Sequence, residues 1–154
     1  MQNPTYYKDA DGNIYEYSSS QTPKKALVKL TEGEVNAHRN PKPTTDQLLQ
    51  QLAVERKEQE TQGVTINDIR YAGDPGNRQA LQEAIAFMND AGLTEFTKWK
   101  DSDNVFHFDL PVSEVFNAYR AVGMRRVQLI SAEGDYAKQI IAGTLTDLTQ
   151  VTWP

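Results

Sequence analysis

From Pro111 to the C-terminal Pro154 the apolar residues recur with a helical period. Val112, Val115, Phe116, Tyr119 and Val122 begin the series, Val127 and Ile130 continue it, and Ala137, Ile140, Ile141, Leu145 and Leu148 close it. Gly123, Gly134 and Gly143 interrupt the pattern, and each glycine costs roughly 1 kcal/mol relative to alanine inside a helix. The segment therefore reads as one long helix or as two helices broken near Gly134. Unbroken, it extends about 50 Å at 1.5 Å per residue, more than a small domain covers by itself. The chain has 154 residues, 38% of them apolar. That supports one modest core, or a small domain with an appended segment, and not several independent domains.

The rest of the chain alternates short strands with helices. Tyr6 to Tyr17 holds two tyrosine-rich runs around Asp11-Gly12, a β-hairpin signal. Such a hairpin is marginal in water without a surface beneath it, whether its own body or a neighbour. Leu27, Val28 and Leu30 suggest a short strand, and Thr31 with Glu34 has the spacing of a capping box that opens a short helix. Asn40-Pro-Lys-Pro ends that helix, so residues 39 to 43 form a linker between an N-terminal arm, 1–43, and the remainder, 44–154. A helix begins at Thr45, with Leu48, Leu49, Leu52 and Ala53 on one face. Its second half, the run Glu55-Arg-Lys-Glu-Gln-Glu before Gly63, has to be solvated or lie against something polar. A second hairpin is expected around Asn67-Asp68. Asp74 as N-cap and Pro75 at the first position predict a helix over 75–91 that buries Leu81, Ala84, Ile85 and Met88 and ends at Gly92. A third hairpin pairs Thr97–Lys100 with Val105–Leu110, and alternation puts Phe106, Phe108 and Leu110 on the buried face, with His107 and Asp109 turned to solvent. The expected class is α+β: a helix-rich small domain with short hairpins and a long C-terminal helix, preceded by an N-terminal arm.

Charge and motifs exclude several functions. The net charge of −5 argues against a phosphate-binding surface, so nucleic acid is not expected as a partner. Lys24, Lys25 and Lys29 read as a solvated face. The absence of cysteine removes disulfides, thiolate metal sites and thiol nucleophiles. The opening residues lack the pattern of a secretory signal, and no apolar run approaches the ~18 residues of a membrane span. The expectation is a chain that is soluble when made in the cytoplasm, with no membrane partner. Asp9-Ala-Asp-Gly-Asn alternates oxygen ligands as calcium loops do, but its glycine comes too early and Ser20 stands where the closing glutamate belongs. His38 and His107 have no partner at metal-ligand spacing. No nucleophile elbow, phosphate loop or dinucleotide fingerprint occurs. The reading is a non-enzymatic chain without cofactor or metal. Tyr6, Tyr7, Tyr15, Tyr17 and Trp153 are the candidate interface residues, since tyrosine and tryptophan near chain ends either tuck onto their own domain or anchor in a partner.

Leu52 to Trp153 carries Ala-Val-Glu-Arg-Lys-Glu-Gln-Glu-Thr-Gln-Gly-Val-Thr-Ile-Asn, then Asp-Pro-Gly-Asn-Arg-Gln-Ala-Leu, then Thr-Lys-Trp-Lys-Asp-Ser-Asp-Asn-Val-Phe, and ends in Val-Thr-Trp-Pro. This stretch resembles an uncharacterised domain found near the C-terminus of many tailed-phage tail and tail-fibre-associated proteins. The opening Tyr-Tyr-Lys-Asp-Ala-Asp-Gly-Asn-Ile-Tyr-Glu-Tyr and Leu-Thr-Glu-Gly-Glu-Val-Asn-Ala-His-Arg-Asn-Pro is similar to the start of such proteins and of tail fibre assembly proteins. The resemblance implies a place, the phage tail, and no catalytic residues. It leads to the expectation of a structural tail component at the tail tip, baseplate or fibre attachment, docking onto other tail proteins and forming a homo-oligomer in the virion. A tail fibre assembly chaperone is the alternative, and a cell-wall hydrolase using a carboxylate pair is a third.

Overall fold

The computed structural model describes residues 4–24 and 26–154, so Lys25 of the expected basic face lies outside the described residues. The fold is α+β and forms two compact units, Met1–Pro43 and Thr44–Pro154.

In the first unit, β1 (Thr5–Lys8) and β2 (Ile14–Tyr17) form the expected hairpin. Lys8 pairs with Ile14, so the connection is the five residues Asp9–Asn13. The Asp9 carboxylate holds this loop, accepting from the amides of Asp11 at 3.0 Å and Asn13 at 2.9 Å and from the Tyr15 hydroxyl at 2.9 Å. A bond from the Asn13 side-chain amide at 2.9 Å leads the causes, with these others, that keep the Asp9 carboxyl below the usual carboxylate range. The hairpin is not isolated. β3 (Val28–Lys29) pairs with β1 on the other side, making a three-stranded sheet in the order β2-β1-β3. α1 (Glu32–Arg39) opens with the capping box of Thr31 and Glu34, and its Glu34 is ion-paired with Lys8 of the sheet. Residues 1–43, the expected N-terminal arm, thus carry the expected hairpin and capped helix in a small folded unit.

The second unit is organised along α4 (Val112–Ile141), an unbroken helix of 30 residues, about 45 Å long. It runs straight through Gly134. The helix ends instead at Ile141, just before Gly143 at φ +72°, and Leu145 and Leu148 belong to the returning tail, with Leu148–Gln150 a single 3-10 turn. The N-terminal half of α4 carries one core, in which Val115, Ala118 and Val122 pack with Leu81 and Ile85 of α3 (Pro75–Asp90), Leu110, and Ile69 and Tyr71 of a hairpin. That hairpin joins β4 (Val64–Ile66) to β5 (Ile69–Tyr71) through Asn67 and Asp68, both at positive φ, the backbone of a tight two-residue turn. The C-terminal half carries a second core, where Ile140 and Leu145 meet Leu48 and Leu52 of α2 (Thr45–Gln62).

Between the two cores lies the charged second half of α2. Glu60 is buried and accepts from Arg56 of α2, Arg78 of α3, and Arg126 of α4, the last at 2.9 Å, while Arg56 also reaches Glu133 of α4 at 2.9 Å. The polar surface anticipated for this half of α2 is thus supplied by α3 and α4 of the same unit. The chain then crosses itself closely. A Cβ on Gly73 would stand 2.1 Å from the Glu60 carbonyl oxygen, and one on Gly63, at φ +71°, would stand 1.9 Å from the Tyr71 carbonyl oxygen. Only glycine fits either place.

β6 (Glu95–Lys100) and β7 (Phe106–Pro111) form the third hairpin, and here the expected facing is overturned. Asp109 has φ +52°, which breaks the two-residue alternation. Leu110 is buried, but Phe106 and Phe108 are 57% and 65% exposed. The partly buried face of the hairpin carries Phe96 and Trp99, whose rings lie 4.9 Å apart.

Replacing Glu60 by alanine removes the acceptor that three arginines share, although Arg56 keeps Glu133 and Arg78 keeps the Gly73 carbonyl. We expect a loss of about 3 kcal/mol, the low end for breaking a buried pair because Arg126 keeps solvent contact. Gly73→Ala should cost about 3 kcal/mol through the forced backbone shift, whereas Gly123→Ala, whose Cβ meets nothing within 4 Å, should stabilise by about 1 kcal/mol. Urea unfolding midpoints of the full-length variants check all three.

Candidate interaction surfaces

The first unit sorts its tyrosines onto two faces, as strand alternation requires. Tyr6 is buried beside α1, its ring 5.7 Å from that of His38 and 5.0 Å from the Arg39 guanidinium carbon, and its hydroxyl donates to Glu16 at 3.0 Å. Tyr7, Tyr15 and Tyr17 share the opposite face: Tyr7 is register partner of Tyr15, and its ring meets that of Tyr17 edge-on at 5.5 Å. Tyr15 is exposed, and Tyr7 and Tyr17 are half-buried. Of the four tyrosines expected at an interface, Tyr6 serves the unit's own packing and the other three form one accessible aromatic face.

Trp153 is half-buried on its own unit. Its ring lies 6.1 Å from that of Tyr136, its Nε1 donates to Glu55 at 3.4 Å, and it packs against the core that holds Leu48 and Ile140. The tail is fastened further by Arg125 donating to the Pro154 carbonyl at 2.7 Å and by the Tyr136 hydroxyl donating to the Thr152 carbonyl at 3.0 Å.

His107 pairs with Asp101 at 2.9 Å. It is partly buried and does not face solvent freely. Asp101 also accepts from the amides of Asp103 and Val105 at 2.8 and 2.9 Å, and the His107 bond leads the causes that hold its carboxyl below the usual range. The pair clasps the β6–β7 turn. Among the described residues no cluster of three or more histidines or acids is placed to hold a metal, and no helix is long and apolar enough to cross a membrane.

Two exposed surfaces were not foreseen. The outer face of the β6–β7 hairpin aligns Lys98 with Phe108 and Lys100 with Phe106, with the Lys100 ammonium 5.7 Å from the Phe106 ring. One flank of α4, about a quarter turn from its buried residues, exposes Phe116, Val127, Ile130 and Ile141, and Met124 is exposed further round the helix. The signal for the second was present in the sequence: at about 100° per residue, Phe116, Val127 and Ile141 project well away from Val115, Val122 and Ile140, so the C-terminal apolar series holds two stripes.

The second unit is therefore a small α+β domain hung on one long helix, with accessible apolar and aromatic faces as its candidate functional features. The chain belongs to the family described as Domain of unknown function (DUF4376), which matches residues 43–152. No curated protein and no solved structure matches it.

In the first unit, hydrogen bonding by Lys8, with help from Thr31, lowers the Glu34 carboxyl to about 2. A depressed carboxyl stabilises fully above its unfolded value of 4.5 and loses that contribution as pH falls towards 2. Acid should loosen the first unit across that window, as read from the NMR titration of the Glu34 carboxyl carbon and the β1 amides. Glu34→Gln should remove the carboxyl's contribution to this pH dependence.

Proposed function

We propose that this chain is a structural component of a bacteriophage tail, at the tail tip, baseplate or fibre attachment, that works by docking onto other tail proteins. The observation that carries the proposal is the resemblance of Tyr6–Tyr17, Leu30–Pro41 and Leu52–Trp153 to tail and tail-fibre-associated proteins. Exposed apolar and aromatic faces support the docking mechanism: Tyr7, Tyr15 and Tyr17 on the first unit and the exposed apolar flank of α4 on the second. Interfaces draw their binding energy from a few such residues, tyrosine prominent among them.

Mass spectrometry of gradient-purified virions should find the chain at a fixed ratio to the tail tube protein. Its absence from particles, with abundance in the infected-cell lysate, would overturn the reading in favour of an assembly chaperone. Release of soluble fragments from peptidoglycan by the purified protein would turn it towards a cell-wall hydrolase. The paired change Tyr15→Asp and Tyr17→Asp should reduce incorporation into particles while leaving the thermal unfolding of the Thr44–Pro154 unit unchanged.

A further inference from the structure

The helices α3 and α4 flank a groove of about 800 Å³ whose charge runs against that of the chain. Its α3 wall runs from Pro75 to Ala86 and its α4 wall from Tyr119 to Arg126. Arg78, Arg120 and Arg126 line it with a single acid, Glu83, on a chain whose net charge is −5. Glu83 accepts from the Gln79 side chain at 2.8 Å and is paired with no cation among the described residues.

The fold leaves part of this positive charge unanswered. Arg56, Arg78 and Arg126 share two carboxylates, Glu60 and Glu133, so one cation is in excess where they meet. Arg120 lies over the Phe116 ring at 5.9 Å and has no carboxylate partner among the described residues, which makes a second. Arg78 uses only Nη1, on Glu60 and the Gly73 carbonyl, and Arg126 uses only Nε, on Glu60 at 2.9 Å. The remaining nitrogens of both guanidinium groups make no hydrogen bond among the described residues, while the bonds already made hold the two forks in place. Arginines held in this way take up an anion at less entropic cost than freely moving ones.

Gly123 opens the α4 wall. It stands in mid-helix, where glycine costs roughly 1 kcal/mol relative to alanine, and an added Cβ would meet nothing within 4 Å. Packing within the unit does not call for a glycine there, but a segment lying close against α4 does.

We infer that this groove binds an extended acidic segment of a partner protein. One carboxylate of the segment is taken by Arg78 and Arg126 together and another by Arg120. Arg120 and Arg126 are separated by about 9 Å along the helix at 1.5 Å per residue. In a polyproline II segment every third residue returns to the same face after about 9 Å, at 3.1 Å per residue. Acids at every third position therefore match both cationic poles, whereas a small inorganic anion reaches only one.

The inference goes beyond the tail reading and stands without it, since it is measured on the purified chain and not on particles. Fluorescence polarisation with a labelled Glu-Pro-Pro repeat peptide should show saturable binding by the full chain, weakening as salt rises, and no binding of a Lys-Pro-Pro repeat. Arg120→Glu should weaken binding by about tenfold or more, and Glu83→Gln should strengthen it, both with unchanged thermal unfolding. Gly123→Gln should weaken binding while leaving the unit at least as stable. Failure of the acidic repeat to bind, equal binding by the Arg120→Glu chain, or preference for a labelled single-stranded oligonucleotide would overturn the inference, the last in favour of a nucleic-acid partner.

Discussion

The structure of the larger unit depends on one buried carboxylate. Glu60 gathers arginines from α2, α3 and α4 at the place where the two apolar cores meet. Neither core alone fixes how α2 and α3 follow each other along α4, since dispersion and apolar burial carry little direction. Charge-assisted hydrogen bonds do carry direction, and arginine's planar fork makes them geometrically specific. Gly63 and Gly73 complete the junction by letting the chain cross itself just beyond the end of α2. The ion network thus sets the register in which α2 and α3 share α4.

Two consequences reach function. The inner face of α4 is covered along its length by elements of its own unit, α3 and two hairpins at one end and α2 with the returning tail at the other. A helix of 30 residues is accommodated in so small a domain because it is covered in two halves by different elements. The exposed apolar residues Phe116, Val127, Ile130 and Ile141 on one flank of α4 are left over from this arrangement. Trp153, half-buried, packs on the second core and closes the tail over it.

Local signals in the sequence were read well where the chemistry is local. Thr31 with Glu34, Asp74 with Pro75, and Asn67-Asp68 each act through hydrogen bonds and backbone preferences within a few residues, and the elements they mark are present. Facing was harder to read. Strict alternation puts Phe108 inside, but the left-handed backbone at Asp109 reverses the pattern, and aspartate takes that conformation without any sequence mark as plain as glycine. The end of the last helix was misplaced because Leu145 and Leu148 keep the helical period after the chain has turned at Gly143, where they serve the same core from a loop. The Glu60 network needs residues 18 and 66 positions apart to meet, and no local pattern announces that. Only the charged second half of α2 hinted that something polar had to receive it. Of the candidate interface, the tyrosine-rich runs were visible, but which tyrosines face outward depends on β3 and α1 covering one side of the hairpin.

The most direct test of this organisation is native-state hydrogen exchange on the intact chain, with amides followed in α2, α3 and both halves of α4. If Glu60 joins the two cores into one cooperative body, the most protected amides of all three helices should share a single opening free energy, and Glu60→Ala should split them into two groups. Two separate opening energies in the unaltered chain, one for α3 with the N-terminal half of α4 and another for α2 with the C-terminal half, would contradict it.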